Sequence, residues 1–180
     1  MAVTALGGMV VSHAIRVGGY DLDDAIVTAL QNEQGLFVGQ EQAERLKIEI
    51  GAAVPGTNVS AAAEIAGRDL ATGLLRRATV EAEQVRSALQ RPLMQIVEAV
   101  KLVLERTPPE IASDVATGGV TLVGGGALLA GLDQLIRRDT GLAVTIAEEP
   151  LTAVVRGAGR ALEQLEHFAT SSASHHTRRR

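Results

Sequence analysis

From Ala2 to Gly19 the chain holds two apolar, β-branched runs on either side of Gly7-Gly8. Such a pattern predicts a β-hairpin. The first run starts at the initiator Met with no lead-in, so further sequence upstream is expected. After Gly18-Gly19, which close the second strand, Leu22, Ile26, Ala29 and Leu30 recur at helical spacing up to a stop at Gly35. Gln40 to Ile50 predicts a second helix, and Gly51 to Thr57 a Pro/Gly loop. Val59–Ala66 and Leu74–Val80 predict a strand pair turning around Gly67-Arg68-Asp69. Val85, Leu89, Leu93, Ile96, Val97, Val100 and Leu104 mark a long amphipathic helical region, with Pro92 as a kink or a restart.

Thr107-Pro108-Pro109-Glu110 has the form of a helix start, with Thr107 as N-cap, Pro at N1 and Glu110 at N3. Val120–Val123 predicts a short buried strand running into Gly124-Gly125-Gly126. A helix through Leu128, Leu129, Leu132, Leu135 and Ile136 is expected to follow directly. Ala143–Ile146 predicts another strand, and Pro150 the start of a last helix through Leu165. From Thr170 the chain is rich in Ser, His and Arg without apolar period, as in a disordered tail. Strand–helix–strand–helix behind an early hairpin is α/β architecture. The stretch from about Tyr20 to Arg77 reads as a smaller α+β insertion.

Composition narrows the functional classes. The 180 residues are 46% hydrophobic, enough for a real core in one domain or two small subdomains. Only Tyr20, Phe37 and Phe168 are aromatic, so the core is aliphatic and stacking platforms for single-stranded nucleic acid are missing. Net charge is −4; Arg178-Arg179-Arg180 carry +3, leaving −7 on the remainder, which does not suit a nucleic-acid binder. Cysteine is absent, which excludes disulfides, thiol catalysis and Cys-ligated metal, and fits a cytoplasmic protein. No apolar run reaches the roughly 18–20 residues of a membrane span.

Gly124-Gly125-Gly126 is the strongest local signal. Glycines between a strand and a helix N-terminus let a ligand approach the backbone; they equally serve a tight turn with no ligand. Glu44 and Lys47, three apart, share a helix face as an ion pair or as polar ligand contacts. Lys47 and Lys101 are the only lysines, so Lys47 is a candidate compact donor. Gly18-Gly19 with Asp21 and Asp23 reads as a helix cap or as a ligand-facing turn. His13 is an ordinary strand residue, and His175-His176 too short a pair for a metal site. The pattern holds no convincing nucleophile, general base, paired carboxylate or metal site, so the catalytic and metal assignments are both none.

Taken in order, these segments resemble a known family. Gly7-Gly-Met-Val-Val-Ser12, Ile15-Arg-Val-Gly-Gly-Tyr-Asp-Leu-Asp23 and Ala43-Glu-Arg-Leu-Lys-Ile-Glu-Ile-Gly51 are similar to MreB/Mbl, the bacterial actin-like rod-shape proteins. So are Gly67-Arg-Asp-Leu-Ala-Thr-Gly-Leu74, Ile96–Val100, Leu104–Glu110, Leu122–Leu129 and Pro150–Thr152, which extends the resemblance over about residues 2–167. It implies the second nucleotide-clamping domain of an actin-like ATPase. The ribonuclease-H-like α/β subdomain would be residues 1–19 and 80–167, with an inserted α+β subdomain at 20–79 and a tail at 168–180. It further implies that Gly18, Gly19, Glu44, Arg45, Leu46, Lys47, Gly124, Gly125, Gly126 and Ala127 lie on the adenosine side of a site for ATP with Mg²⁺.

Both family phosphate loops and the catalytic carboxylate lie outside this chain, so the resemblance implies weak or no ATP binding and no ATPase activity by this half. The implied partners are like or full-length subunits in filaments and the cell-wall elongation machinery. Direct membrane binding belongs to the other half. Three positions depart from the family pattern: Tyr20, Glu149 before Pro150 where a fraying last helix is expected, and Arg156 near the interdomain contact. A stand-alone half that caps or modulates filaments of a full-length relative is the alternative.

Overall fold

The computed structural model describes residues 1–57 and 59–163; the expected tail and the His175-His176 pair lie outside them. Strands β1 (Ala2–Ala5) and β2 (Gly8–Ser12) pair antiparallel, as the opening pattern predicts. The two-residue turn is Leu6-Gly7, both at positive φ (51° and 76°), and Gly8 already belongs to β2. Left-handed backbone at both turn positions matches the twist of the strands, which is why the turn sits one residue earlier than the glycine pair suggests.

Helix α1 (Gly19–Gln34) ends at Gly35, whose φ of 59° is a left-handed C-cap. A two-residue strand, β3 (Leu36–Phe37), follows and was not expected from the pattern; it pairs with the end of β4. Helix α2 (Gln40–Ile50) buries Ala43, Leu46 and Ile50. Strands β4 (Ala62–Asp69) and β5 (Leu75–Glu81) form the predicted pair, but Gly67, Arg68 and Asp69 are strand, not turn. Gly67 is required there because β3 crosses it: a Cβ would lie 2.6 Å from the Phe37 carbonyl oxygen. The turn is made downstream by Asp69. Its Oδ1 accepts from the Thr72 N–H (2.9 Å), the Ala71 N–H (3.0 Å) and the Thr72 hydroxyl (3.1 Å), and Arg76 Nε lies 3.0 Å from its Oδ2.

Helix α3 (Ala82–Glu105) runs unbroken through Pro92, so Pro92 is no restart. Its Val85, Leu89, Leu93 and Val97 belong to one core that also takes side chains from α1, α2, β4 and β5. Helix α4 (Pro109–Gly118) has Pro108, not Thr107, at its N-cap. The Thr107 hydroxyl instead donates to the Val103 carbonyl at 2.8 Å, satisfying an orphan acceptor in the last turn of α3, so the expected capping box is not formed. Strands β6 (Val120–Leu122) and β7 (Val144–Ile146) are parallel, joined through α5 (Leu132–Thr140). The last helix, α6 (Ala153–Glu163), starts three residues after Pro150. Glu149 and Arg156, two of the departures from the family pattern, pair with each other, and Glu149 also accepts from the Thr152 hydroxyl at 3.0 Å.

Among the described residues the strands form three separate sheets: β1-β2, β3-β4-β5 and β6-β7. No helix among them is long and apolar enough to cross a membrane.

Two outcomes test this account. Leu6 is fully exposed at a positive φ, a conformation that Asn tolerates better. Leu6→Asn is expected to raise stability by about 1 kcal/mol in urea unfolding. The Thr72 N–H and hydroxyl, with Ala71 and Arg76, hold the Asp69 carboxyl below the usual aspartate range. Its folded pKa is depressed, so its contribution is present above the unfolded value and is lost as pH falls through the folded one. Amide exchange at Ala71 and Thr72, corrected for intrinsic rates, is expected to accelerate only below the ordinary aspartate range.

Candidate functional site

Gly18 is the N-cap of α1, and its N–H donates to Asp21 Oδ2 at 2.7 Å. Asp21 thus serves as the cap, by reaching back from the third helical position. Asp23 has a different task. It is 3% exposed, and the Lys47 ammonium lies 2.8 Å from its Oδ1 and 3.0 Å from its Oδ2. The same ammonium donates to the Gly19 carbonyl at 3.3 Å. Lys47 therefore joins α2 to the first turn of α1, rather than pairing with Glu44 along its own helix. The apolar stripe held a clue to this: Asp23 stands three residues before Ile26 and seven before Leu30, on the buried face of α1.

The other α2 residues divide. Glu44 is exposed. Arg45 donates to the Glu64 carbonyl on β4 at 2.8 Å. Leu46 is fully buried in the core, so its side chain meets no ligand.

The glycine triplet follows β6. Gly124 has φ 84°, and Gly125–Leu128 form a single 3₁₀ turn; α5 begins only after Gly131. The helix expected directly after the triplet is displaced, so no long helix dipole points out of these glycines. What they offer is bare backbone: a Cβ on Gly124 or Gly126 would meet nothing within 4 Å, and Gly125 and Gly126 are exposed. Ala127 is 3% exposed and anchors the turn.

A cleft of about 610 Å³ brings much of this together. Gly18, Gly19, Gly126 and Ala127 line it, along with β1, β6 and the apolar face of α3. Glu44, Arg45, Leu46, Gly124 and Gly125 do not line it, and Lys47 reaches its wall only through the Gly19 carbonyl. Every lining side chain among the described residues is uncharged. Exposed glycine backbone suits a nucleoside, whose flat base and ribose hydroxyls need close approach and hydrogen bonds. An uncharged lining does not suit a polyphosphate. Among the described residues no three His, Cys, Asp or Glu side chains cluster to hold a metal ion.

Comparison with known proteins supports the resemblance. A crystal structure of MreB5 of Spiroplasma citri bound to ADP superposes with a TM-score of 0.87 at 34% identity, covering 91% of this chain and 50% of that one. The same protein bound to AMPPNP gives 0.88 at 32%, covering 95% and 51%. A MamK double helical filament, 24% identical, shares the fold (TM-score 0.67; 81% and 44% covered). The fold is thus an α/β fold of the actin-like class. The model of the MreB/Mbl protein family matches residues 1–170, and the chain belongs to that family. The cell shape-determining protein MreB of Escherichia coli (strain K12) is 46% identical over 166 residues, 92% of this chain and 48% of that relative. The cell shape-determining protein Mbl of Bacillus cereus is 40% identical over 168 residues, 93% and 50%. The chain spans about half the length of these relatives.

The Asp23–Lys47 pair is the joint of this site and can be isolated. Lys47→Met strands a buried carboxylate and is expected to destabilise the fold by about 3 kcal/mol. Asp23→Leu combined with Lys47→Met is expected to recover most of that loss, since neither charge then remains. Urea unfolding of the two single variants and the double variant measures the coupling.

Proposed function

We propose that this chain is the adenosine-side half of an actin-like, ATP-binding filament protein of the MreB/Mbl family, acting in cell shape and lateral wall synthesis. The observation that carries the reading is the convergence of exposed glycine backbone from two places on one cleft, Gly18-Gly19 braced by Lys47 and Gly126 after β6. Relatives of this fold are recorded bound to ADP and AMPPNP. In this reading Gly18, Gly19, Gly126 and Ala127 face the nucleoside; Gly124, Gly125 and the exposed Glu44 do not line the cleft, and their contacts with base and ribose rest on the family resemblance alone. Lys47 holds the Gly19 turn in place, and Arg45 and Leu46 act as scaffold. Nucleotide supplies the free-energy source for polymerisation when both halves of the clamp are present; this half only binds and orients its base and sugar. The ribonuclease-H-like part is residues 1–19 and 80–167, and the insertion 20–79. The setting is cytoplasmic, with filament subunits and the wall-elongation machinery as partners.

A second reading, proposed beside the first, is a separate half-protein that caps or modulates filaments of a full-length subunit. Co-sedimentation with filaments of a full-length relative separates the two readings: shortened filaments favour the modulator, and indifference to filaments overturns it.

The nucleotide reading is tested by titrating ATP into the full chain while following backbone amide resonances. Shifts at Gly18, Gly19, Glu44 and Gly124–Ala127 are expected, with a Kd no tighter than about millimolar because half of the preorganised contacts lie elsewhere. Glu44→Ala is expected to weaken binding by a few-fold, and turnover above background is not expected. Shifts confined to other surfaces, or none at near-saturating ATP, overturn this assignment.

A further inference from the structure

Tyr20 directly follows Gly19, which lines the cleft, and is 82% exposed. The chain has two other aromatic residues. The Phe37 ring lies 5.4 Å from the Arg68 guanidinium, and Phe168 falls outside the described residues. That pair is the one cation–π contact among the described residues, so neither face of the Tyr20 ring is taken by a cation.

The direction of Tyr20 follows from the helix. It stands three residues before Asp23 and four before Asp24, so it shares their face of α1. That face meets α2: Asp23 pairs with Lys47, and Asp24 accepts from the Gln40 side chain. Tyr20 carries the face one turn further, to the end of α1 where the Lys47 ammonium donates to the Gly19 carbonyl. The ring is therefore rooted at the rim where Gly18 and Gly19 enter the cleft. Because Lys47 fixes the preceding residue, the main chain of Tyr20 is already placed. Only two side-chain torsions are left to order when a ligand arrives.

The cleft offers glycine backbone and aliphatic side chains but no aromatic ring of its own. A flat base is best covered between two flat surfaces. Gly126 supplies one: it is exposed, and a Cβ there would meet nothing within 4 Å. We propose, on the nucleoside reading given above, that Tyr20 is the base-stacking and base-selecting residue of the cleft, its ring closing over a purine that lies on the Gly126 backbone. The two fused rings of a purine cover more of a tyrosine face than the single ring of a pyrimidine, so stacking favours purine. The phenol hydroxyl takes no part. Tyr20 is one of the positions that depart from the family pattern, so this selectivity belongs to this chain.

The experiment titrates ATP, CTP and ribose 5-phosphate into the full chain and follows the Tyr20 ring protons beside the backbone amides. Tyr20 is the only tyrosine, so its ring signals need no further assignment. ATP is expected to move them upfield and to give cross-relaxation between the ring and the base protons. CTP is expected to move them less, and ribose 5-phosphate not at all. Tyr20→Ala is expected to weaken ATP binding about fivefold and to abolish a preference of about threefold for ATP over CTP. Tyr20→Phe is expected to keep both within about twofold. Amide shifts at Gly18, Gly19 and Gly126 with unmoved ring signals overturn the stacking role and leave the nucleotide reading standing. Unchanged affinity and preference in Tyr20→Ala, or their loss in Tyr20→Phe, likewise overturn it. Silence of both ring and amides at near-saturating ATP overturns both.

Discussion

Helix α3 is the surface on which α1, α2, α5 and β5 are registered. Its first half buries Val85 and Leu89 in the core shared with α1, α2, β4 and β5. Its second half turns Ile96 and Val103 toward the cleft beneath β1 and β6. Pro92 lies between the two halves, where an interior proline removes a backbone bond and costs about 3 kcal/mol. The helix continues regardless, and Pro92 is itself buried. Packing on both sides of the proline outweighs the local penalty, so a position that reads as a break in one dimension is a joint in three.

The site inherits its geometry from that packing through a few long-range links. Lys47 carries the position of α2 to the first turn of α1, and with it to Gly18 and Gly19. The loop after α2 is tied to the segment before α5: the Ala53 N–H donates to the Ala130 carbonyl at 2.8 Å. Gly131 sits at φ 76°, where a Cβ would lie 2.6 Å from Val54. That close approach fixes where α5 starts, and hence how much chain remains between Gly124 and the helix for the exposed 3₁₀ turn. The glycine segments are bare because their neighbours are anchored elsewhere, not because they are loosely held.

Elements with strong local periodicity were legible in the sequence. The β1–β2 hairpin, α1, α2, the β4–β5 pair and the β6–α5–β7 unit follow from apolar spacing and from punctuation by Gly35 and Gly51. The features that were missed depend on distant partners. Strand β3 is two residues long and exists because it crosses Gly67. The Asp69 turn forms because one carboxylate collects three donors beside the Arg76 charge. Thr107 fits an N-cap pattern, yet its hydroxyl is taken by α3. The site was legible in part. The glycine segments stood out as ligand-accessible backbone, but Lys47 was matched with the neighbour at helical spacing, whereas its partner lies 24 residues earlier. Leu46 could not be assigned a facing direction by motif alone, and periodicity with Ala43 and Ile50 puts it in the core.

The division of the strands into separate sheets leaves the glycine turn at the end of a free edge: Val120 and Leu122 bond to β7, and the residues alternating with them do not. Thr121 and Val123 stand on the free edge of β6, and Gly124 follows them directly. A free edge that is short, exposed and apolar is a hazard for uncontrolled pairing. The body of the chain, at −7 without its terminal arginines, opposes association by repulsion but does not satisfy those amides. Whatever satisfies them also fixes the direction in which Gly124 leaves the sheet, so the free edge of β6 and the glycine turn that follows it are one structural problem.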